Sequence, residues 1–201
     1  MPGRHQLLIV DADVTVVERD LAAGVLGCPG CSGVLGPWGW ARRRVLRCRA
    51  GEIALVPRRA RCRGCARTHV LLGERGLLRR RDEVDVIGEA LTLMVAGGRG
   101  HRRVAQGLGL PAGTVRGWRR AFVAGGEAIR MLFTRWAHAL DAQLGRTAPA
   151  GAPSTDALES IAIACRAWVL RFGPRAVWPL VCSLTQGALL CNTSCPFPAV
   201  R

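Results

Sequence analysis

Two Cys-x2-Cys pairs, separated by thirty residues, constrain the fold of this chain more than any other feature. Cys28 and Cys31 form the first pair, and Cys62 and Cys65 form the second. Two such turns facing each other supply four thiolates at tetrahedral angles, which is the ligand set of a closed structural zinc site. We therefore expect these four cysteines to bind a structural zinc ion.

The sequence around the two pairs predicts a small β-rich unit. Residues 41–48, 53–62 and 68–72 are strand-like and are separated by glycines. This layout is that of a zinc ribbon, which we place at residues 28–80. A thioredoxin-like redox pair is the alternative, but it needs one Cys-x2-Cys at the start of a helix and does not fit two pairs in such a segment.

Four further residues in this region bear on the metal site. Pro29 and Gly33 suit the first tight turn, because the chain there needs a fixed φ followed by an unhindered or left-handed residue. Cys48 and His69 remain alternative ligands that could replace one of the four cysteines. Otherwise Cys48 is a buried small hydrophobic residue and His69 an ordinary strand residue.

The charge of the chain is positive and concentrated in two blocks. The 201 residues carry a formal charge of +15, from 29 basic residues, all arginine, against 14 acidic ones. Residues 28–81 hold fourteen arginines and two acids, and residues 99–135 hold eight arginines and one acid. A field of this strength favours a polyanionic partner such as nucleic acid or an anionic membrane.

The apolar stretches of the chain argue against a membrane partner. The longest, near residues 160–170 and 177–191, are interrupted and fall short of the ~20 residues that span a bilayer. No secretory signal is visible at the N-terminus. We therefore expect a cytoplasmic, nucleoid-associated protein whose nine cysteines are metal ligands or buried thiols rather than disulfides.

Residues 82–145 predict a helix-turn-helix domain followed by an amphipathic helix. Numbered from His101, the stretch has Ala105 at the fifth position, Gly109 at the ninth, and Val115 and Trp118 at the fifteenth and eighteenth. A helix-turn-helix needs a small residue where its helices cross, a glycine with positive φ in the turn, and apolar residues that hold the second helix on the core.

The second helix of such a motif enters the major groove of DNA by its N-terminal half. Arg116 is placed to read a guanine edge, and Arg120 also faces outward beside the small residues Ala112, Gly113 and Gly117. Phosphate contacts, which set the register on the duplex, are expected from the following residues: Arg102, Arg103, Thr114 and Arg119. The predicted partner is double-stranded DNA.

The flanking segments complete an α+β assignment. Residues 1–27 predict a strand and a short helix, 146–155 a linker, and 156–201 a helical hairpin, with helices at 156–171 and 175–190, and a tail. We expect Cys165 and Cys182 to be buried thiols, and Cys191 with Cys195 to be a weaker metal-binding alternative. The C-terminal helices chiefly supply core packing, with a homodimer or a partner protein as the alternative use of their surface.

The motifs CPGC, CRGCARTH and HRRVAQGLGLPAGTVRGWRR, in this order, resemble an actinobacterial family with a zinc ribbon and a helix-turn-helix that is associated with insertion sequences. Residues 26–123 are also similar to the N-terminal DNA-binding regions of transposases. The resemblance implies DNA binding with a structural zinc and implies no reaction.

We expect a non-catalytic protein, either an accessory factor of a mobile element or a transcriptional regulator. Strand transfer needs clustered carboxylates for metal ions, and the acids after residue 123 lie singly on or beside predicted helices. The alternatives are a remnant or fragment of a transposase and an RNA-binding zinc-ribbon protein.

Overall fold

The computed structural model describes residues 6–145 and 151–191, and it has the expected α+β architecture. The strands come first and the helices dominate the rest of the chain. The strands are β1 (Gln6–Val10), β2 (Leu35–Trp40), β3 (Arg44–Cys48), β4 (Gly51–Leu55), β5 (Arg58–Cys62) and β6 (Thr68–Gly73). The helices are α1 (Val14–Ala22), α2 (Val84–Val95), α3 (His101–Leu108), α4 (Ala112–Ala124), α5 (Gly126–Leu140), α6 (Pro153–Phe172) and α7 (Val177–Leu184). Within these helices, no segment is both long enough and apolar enough to cross a membrane.

Strand β1 and three strands of the predicted ribbon form a four-stranded mixed sheet in the order β1-β6-β5-β2. β1 runs parallel to β6, with Leu8 opposite Leu71, whereas the other two pairings are antiparallel. β3 and β4 form a separate two-stranded hairpin. The N-terminal strand therefore lies in the same sheet as the strands that carry the second cysteine pair.

Helix α1 covers one face of this sheet and closes a small core. It begins at Asp13, whose carboxylate accepts a hydrogen bond from the Thr15 backbone N–H at 2.8 Å and so satisfies a free donor of the first turn. Val17 and Leu21 are buried against Leu35 and other apolar residues of the sheet. Cys28 and Cys62 belong to the same core, so the two cysteine turns rest on it.

A larger core lies among helices α2 to α7 and extends to the other face of the sheet. Trp118, Phe122 and Phe133 are among its fully buried side chains. Ile9 of β1 and Leu72 of β6 contribute to the same cluster. The sheet and the helical part therefore share a continuous apolar interface, which positions the ribbon relative to α4.

Two helix ends in the C-terminal third differ from the sequence prediction. The predicted amphipathic helix was expected to continue to residue 145, but α5 ends at Leu140 because Asp141 has an extended backbone with φ −133°. The last helix was expected to reach about residue 190, but α7 ends at Leu184. Gln186 and Gly187 have positive φ values of 49° and 73°, which an α-helix does not accommodate.

The start of α6 also differs, because the helix begins three residues earlier than expected. Pro153 occupies its first turn, where the missing N–H is not needed. Asp156, expected at the helix start, is instead buried, and its carboxylate accepts a hydrogen bond from the Gly151 N–H at 3.1 Å. Residues 146–150 of the predicted linker lie outside the described residues.

Candidate metal centre and basic surfaces

The first cysteine turn is closed by backbone hydrogen bonds. The Ser32 N–H donates to the Cys28 carbonyl at 2.8 Å, and the Cys28 N–H donates to the Gly33 carbonyl at 2.8 Å. The Gly30 N–H points at the Cys28 sulfur, 3.4 Å away. These bonds fold residues 28–33 so that the sulfurs of Cys28 and Cys31 lie in one four-cysteine group.

The second turn repeats this arrangement. The Ala66 N–H donates to the Cys62 carbonyl at 3.1 Å, and the Cys62 N–H donates to the Arg67 carbonyl at 2.9 Å. The Cys65 N–H lies 3.4 Å from the Cys62 sulfur. Two turns of the same geometry therefore carry two sulfurs each, as the repeated spacing predicts.

Gly33 was expected to be either an unhindered or a left-handed residue of the first turn, and the structure gives it the unhindered role. The left-handed position of each turn is taken by Ser32 and Ala66, both with φ 59°, and not by Gly33. Gly33 has a steric role instead, because a Cβ there would lie 3.1 Å from the Cys62 sulfur and 3.4 Å from the Cys31 sulfur. A glycine lets the two turns approach each other.

The four sulfurs form one compact group. All lie within 4.8 Å of one another, with 3.8 Å between Cys28 and Cys65 and 3.4 Å between Cys31 and Cys62. A tetrahedral ion with metal–sulfur bonds of about 2.3 Å places its sulfurs about 3.8 Å apart. The residues therefore fit a tetrahedral metal ion. In residues 6–145 and 151–191, this is the one group of three or more His, Cys, Asp or Glu side chains with such spacing.

The thiols of this group influence one another strongly. The pKa of Cys62 is lowered to about 6, chiefly because the Cys65 N–H donates to its sulfur. The pKa of Cys31 is raised to about 12: the Gly33 N–H, its largest single influence, lowers it, but loss of hydration and hydrogen bonds with the other three thiols outweigh that effect. Cys62 therefore loses its proton more readily than Cys31. A bound cation would stabilise both sulfurs as thiolates.

The two reserve ligands occupy different positions. His69 is fully buried on β6, with its Nε2 atom 3.4 Å from the Cys28 sulfur, so it contacts the four-cysteine group without belonging to it. Cys48 lies at the end of β3 opposite Gly51, outside that group. The sequence identified His69 as a candidate only by its proximity to Cys65, and the direct contact with Cys28 depends on strand pairing.

The remaining cysteines lie elsewhere. Cys165 and Cys182 are buried in the helical core, as expected, and burial raises their pKa to about 11 and about 12. Cys191 is the last described residue. Cys195, its predicted metal-binding neighbour, lies outside the described residues.

Helices α3 and α4 are joined by a tight turn whose packing follows the sequence expectation. Gly109 is left-handed, with φ 65° and ψ 32°, and the Leu110 N–H donates to the Ala105 carbonyl at 2.9 Å. Ala105, Val115 and Trp118 are 2% exposed or less, so α4 is held on the core by its expected face.

The opposite face of this helix pair is exposed and positively charged. Thr114 is half-buried, whereas five arginines are exposed: Arg102 and Arg103 on α3, and Arg116, Arg119 and Arg120 on α4. No carboxylate in the described part of the chain pairs with any of the five; the ion pairs there involve other arginines. Their charge is therefore directed to solvent.

The ribbon arginines are partly neutralised, by acids that lie outside residues 28–80. Of the fourteen arginines in residues 28–81, four are paired: Arg47 with Asp82, Arg49 with Glu89, Arg58 with Glu18, and Arg75 with Glu83. The two acids within 28–80 supply none of these partners, because tertiary packing brings in acids from α1, α2 and the segment before α2. The other ten arginines pair with no carboxylate among the described residues.

Two tryptophans on β2 form a feature that sequence patterns did not indicate. Trp38 and Trp40 are each 51% exposed. The guanidinium of Arg61 lies 4.6 Å from the centre of the Trp38 ring, and that of Arg58 lies 4.6 Å from the Trp40 ring. The pairing of β2 with β5 is irregular between Pro37 and Gly39, which places Trp38 at a bulge. These Arg–Trp contacts depend on the register of β2 with β5, which the sequence alone does not show.

An apolar groove of about 740 Å³ lies among α2, α6 and α7, whose surface has a homodimer or a partner protein as its alternative use besides core packing. Val169, Leu170 and Val177 line it and are exposed, Leu170 by 76%. Glu159 and Arg166 on α6 also line it.

Comparison with known proteins identified no relative of this chain. No family model matches the chain, and neither a curated protein nor a solved structure matches it.

Proposed function

We propose that this protein binds double-stranded DNA without catalysing a reaction on it. The observation that carries the proposal is the exposed face of α3 and α4, where five arginines have no carboxylate partner in the described residues. Unpaired guanidinium groups on one face produce a local positive field that attracts a polyanion.

In the proposed complex, α4 enters the major groove by its N-terminal half. Arg116 reads a guanine edge through two parallel hydrogen bonds, and the adjacent Gly117 leaves room for close approach, because no atom lies within 4 Å of a Cβ built there. Arg120 faces the same groove. The phosphate contacts come from Arg102, Arg103, Thr114 and Arg119, which set the register.

We further propose that the four cysteines hold a structural zinc ion. Four thiolates close the coordination sphere and leave no position for water or substrate, which supports a structural role. The two turns carry little other packing at their tips, since Cys31 and Cys65 are exposed. The ion would then tie β2 to β5 and β6 and keep the basic surface of the ribbon in shape.

The biological role within this proposal follows from the resemblance of residues 26–123. A non-catalytic DNA-binding protein can be either an accessory factor of a mobile element or a transcriptional regulator. A remnant or fragment of a transposase is the alternative.

The test is a salt titration of binding to duplex DNA, followed by fluorescence anisotropy. Each phosphate contact releases counterions, so we expect log K to fall with log [salt] by about 0.9 per contact. The Arg102→Ala/Arg119→Ala variant should have a slope smaller by about 2. Arg135→Ala, which removes an exposed arginine from α5, is the matched control. A slope near zero for the wild-type protein would refute the proposal.

RNA binding is the second candidate, and the exposed tryptophans favour it. Single-stranded RNA is recognised by stacking its bases on aromatic side chains, and Trp38 and Trp40 are half-exposed beside Arg61 and Arg58. Competition between labelled duplex DNA and unlabelled RNA separates the two. If unlabelled RNA displaces the DNA from the wild-type protein but not from the Trp38→Ala variant, RNA binding is favoured over DNA binding.

A further inference from the structure

The last arginine of one triplet, residues 42–44, and all three arginines of a second triplet, residues 79–81, line one cleft. β3 runs beside the segment that leads into α2, because the Arg47 N–H donates to the Arg81 carbonyl at 2.7 Å and the Glu83 N–H donates to the Arg47 carbonyl at 2.9 Å. A cleft of about 400 Å³ lies between the β3–β4 hairpin and this segment.

The lining of the cleft has a cationic part and an apolar part. The cationic part consists of Arg44, Arg79, Arg80 and Arg81. The apolar part consists of Val45, Leu46, Leu55, Leu72 and Leu77. Three of these apolar residues are 4% exposed or less, so the cleft reaches into the packed interior: Leu46, Leu72 and Leu77.

The charge of the cleft is not compensated by the protein. None of its four arginines pairs with a carboxylate within the described ranges. The two acids that follow the second triplet, Asp82 and Glu83, pair instead with Arg47 and Arg75. Four like charges in one concave site attract a ligand that carries several negative charges.

Part of this site is held in place before any ligand arrives. The Arg80 guanidinium donates to the Leu190 carbonyl, which fixes the side chain, while its buried Nε–H has no acceptor in the described part of the chain. Arg79 has φ 59°, a left-handed conformation that is uncommon for a residue other than glycine. Backbone strain of this kind occurs at ligand clamps.

We propose that this cleft binds a free nucleotide, a nucleoside di- or triphosphate. Guanidinium groups match phosphate oxygens in geometry and charge, and the apolar part of the lining, where Val45 and Leu55 are partly exposed, can contact the base. A volume of about 400 Å³ lies in the range of small-ligand sites. An inorganic anion would use only the arginines, whereas a nucleotide uses both parts of the cleft. The proposal does not depend on DNA binding by α4.

Isothermal titration calorimetry of the full-length protein with ATP, pyrophosphate and adenosine tests this proposal. We expect ATP to bind with 1:1 stoichiometry, and pyrophosphate and adenosine to bind at least about tenfold more weakly. The Arg44→Ala/Arg79→Gly variant should bind ATP at least about tenfold more weakly. Glycine suits the left-handed position, so this variant retains the local backbone. Arg135→Ala, from the exposed surface of α5, should bind ATP as the wild type does.

Three results would overturn the proposal. The double variant could bind ATP as tightly as the wild type, which would place the nucleotide elsewhere. Pyrophosphate could bind as tightly as ATP, which would leave the apolar lining without a role. Duplex DNA could displace ATP while the double variant loses duplex affinity in parallel, which would assign the cleft to the DNA-binding surface. Thermal melting of both variants verifies that they are folded.

Discussion

Gly88 on α2 provides a sensitive test of how the helical core is packed, because it lies directly against Trp178 of α7. A Cβ at Gly88 would lie 2.0 Å from both Cδ2 and Cε2 of that ring and 2.3 Å from Cγ. Carbon atoms in normal contact are about 3.5–4.0 Å apart. In Gly88→Ala the indole must therefore move by roughly 1.5 Å, together with the helix that carries it.

The expected change in stability is the difference of two effects. Overpacking of a core costs about 1–3 kcal/mol, and the overlap here is with the base of a rigid ring, which favours the upper part of that range. Replacing a helical glycine by alanine contributes about 1 kcal/mol in the other direction. We expect a net loss of about 1–2 kcal/mol in the free energy of unfolding, which for a chain of this size lowers Tm by about 2–8 °C.

The assay is thermal melting followed by circular dichroism, with a control from the same chain. Gly107 lies within α3, and a Cβ there has no neighbour within 4 Å. Gly107→Ala therefore has only the helix gain and should raise Tm. In the Trp178→Ala background the overlap is absent, so adding Gly88→Ala should raise Tm as well. A Gly88→Ala single variant that melts at or above the wild-type temperature would show that α2 and α7 do not pack as described.

Three further predictions concern the metal, the DNA and self-association. Cys62→Ser should lose the bound metal and weaken DNA binding without abolishing it; full zinc content by elemental analysis would disprove the ligand assignment. Arg116→Ala should reduce discrimination at one guanine by about 1–3 kcal/mol in competition binding, whereas Arg135→Ala should leave it unchanged, and equal losses on all sequences would contradict base reading. If the groove on α6 joins two copies, the protein should sediment as a dimer and Leu170→Glu as a monomer; a monomeric wild-type protein would exclude that use of the surface.

The grouping of the four cysteines was predictable because each turn is a local structure. Two residues between the sulfurs define the turn, and Cys28 and Cys62 each accept and donate the same backbone hydrogen bonds. The identity of the left-handed residue was not predictable from the glycine pattern. It is the fourth residue after the first cysteine of each turn, Ser32 or Ala66, and neither is a glycine. Gly33 is needed for a separate reason, because a Cβ there would lie 3.1 Å from the Cys62 sulfur of the other turn.

The helical segments were also predictable from the sequence, because an apolar stripe of period 3.6 is a pattern within consecutive residues. The buried residues of α4, which are Val115, Trp118 and Phe122, match that stripe, whereas α2 is buried on more than one face. The ends of the helices were less predictable. Asp141 and Gln186 have backbone angles outside the α-helical region, and the periodicity of apolar residues does not encode them.

By itself, the sequence determined the α+β class, the two cysteine turns and the apolar face of the α3–α4 pair, because all three depend on short-range spacing. Only the tertiary structure decided which arginines are neutralised. Glu18 and Glu89 reach the ribbon from distant helices, and Asp82 pairs with Arg47 and not with the second triplet that it follows. Ion pairs, the Arg–Trp contacts and the arginine cleft all depend on strand register and on long-range packing. These place residues dozens of positions apart within a few ångströms, at distances that no local pattern specifies.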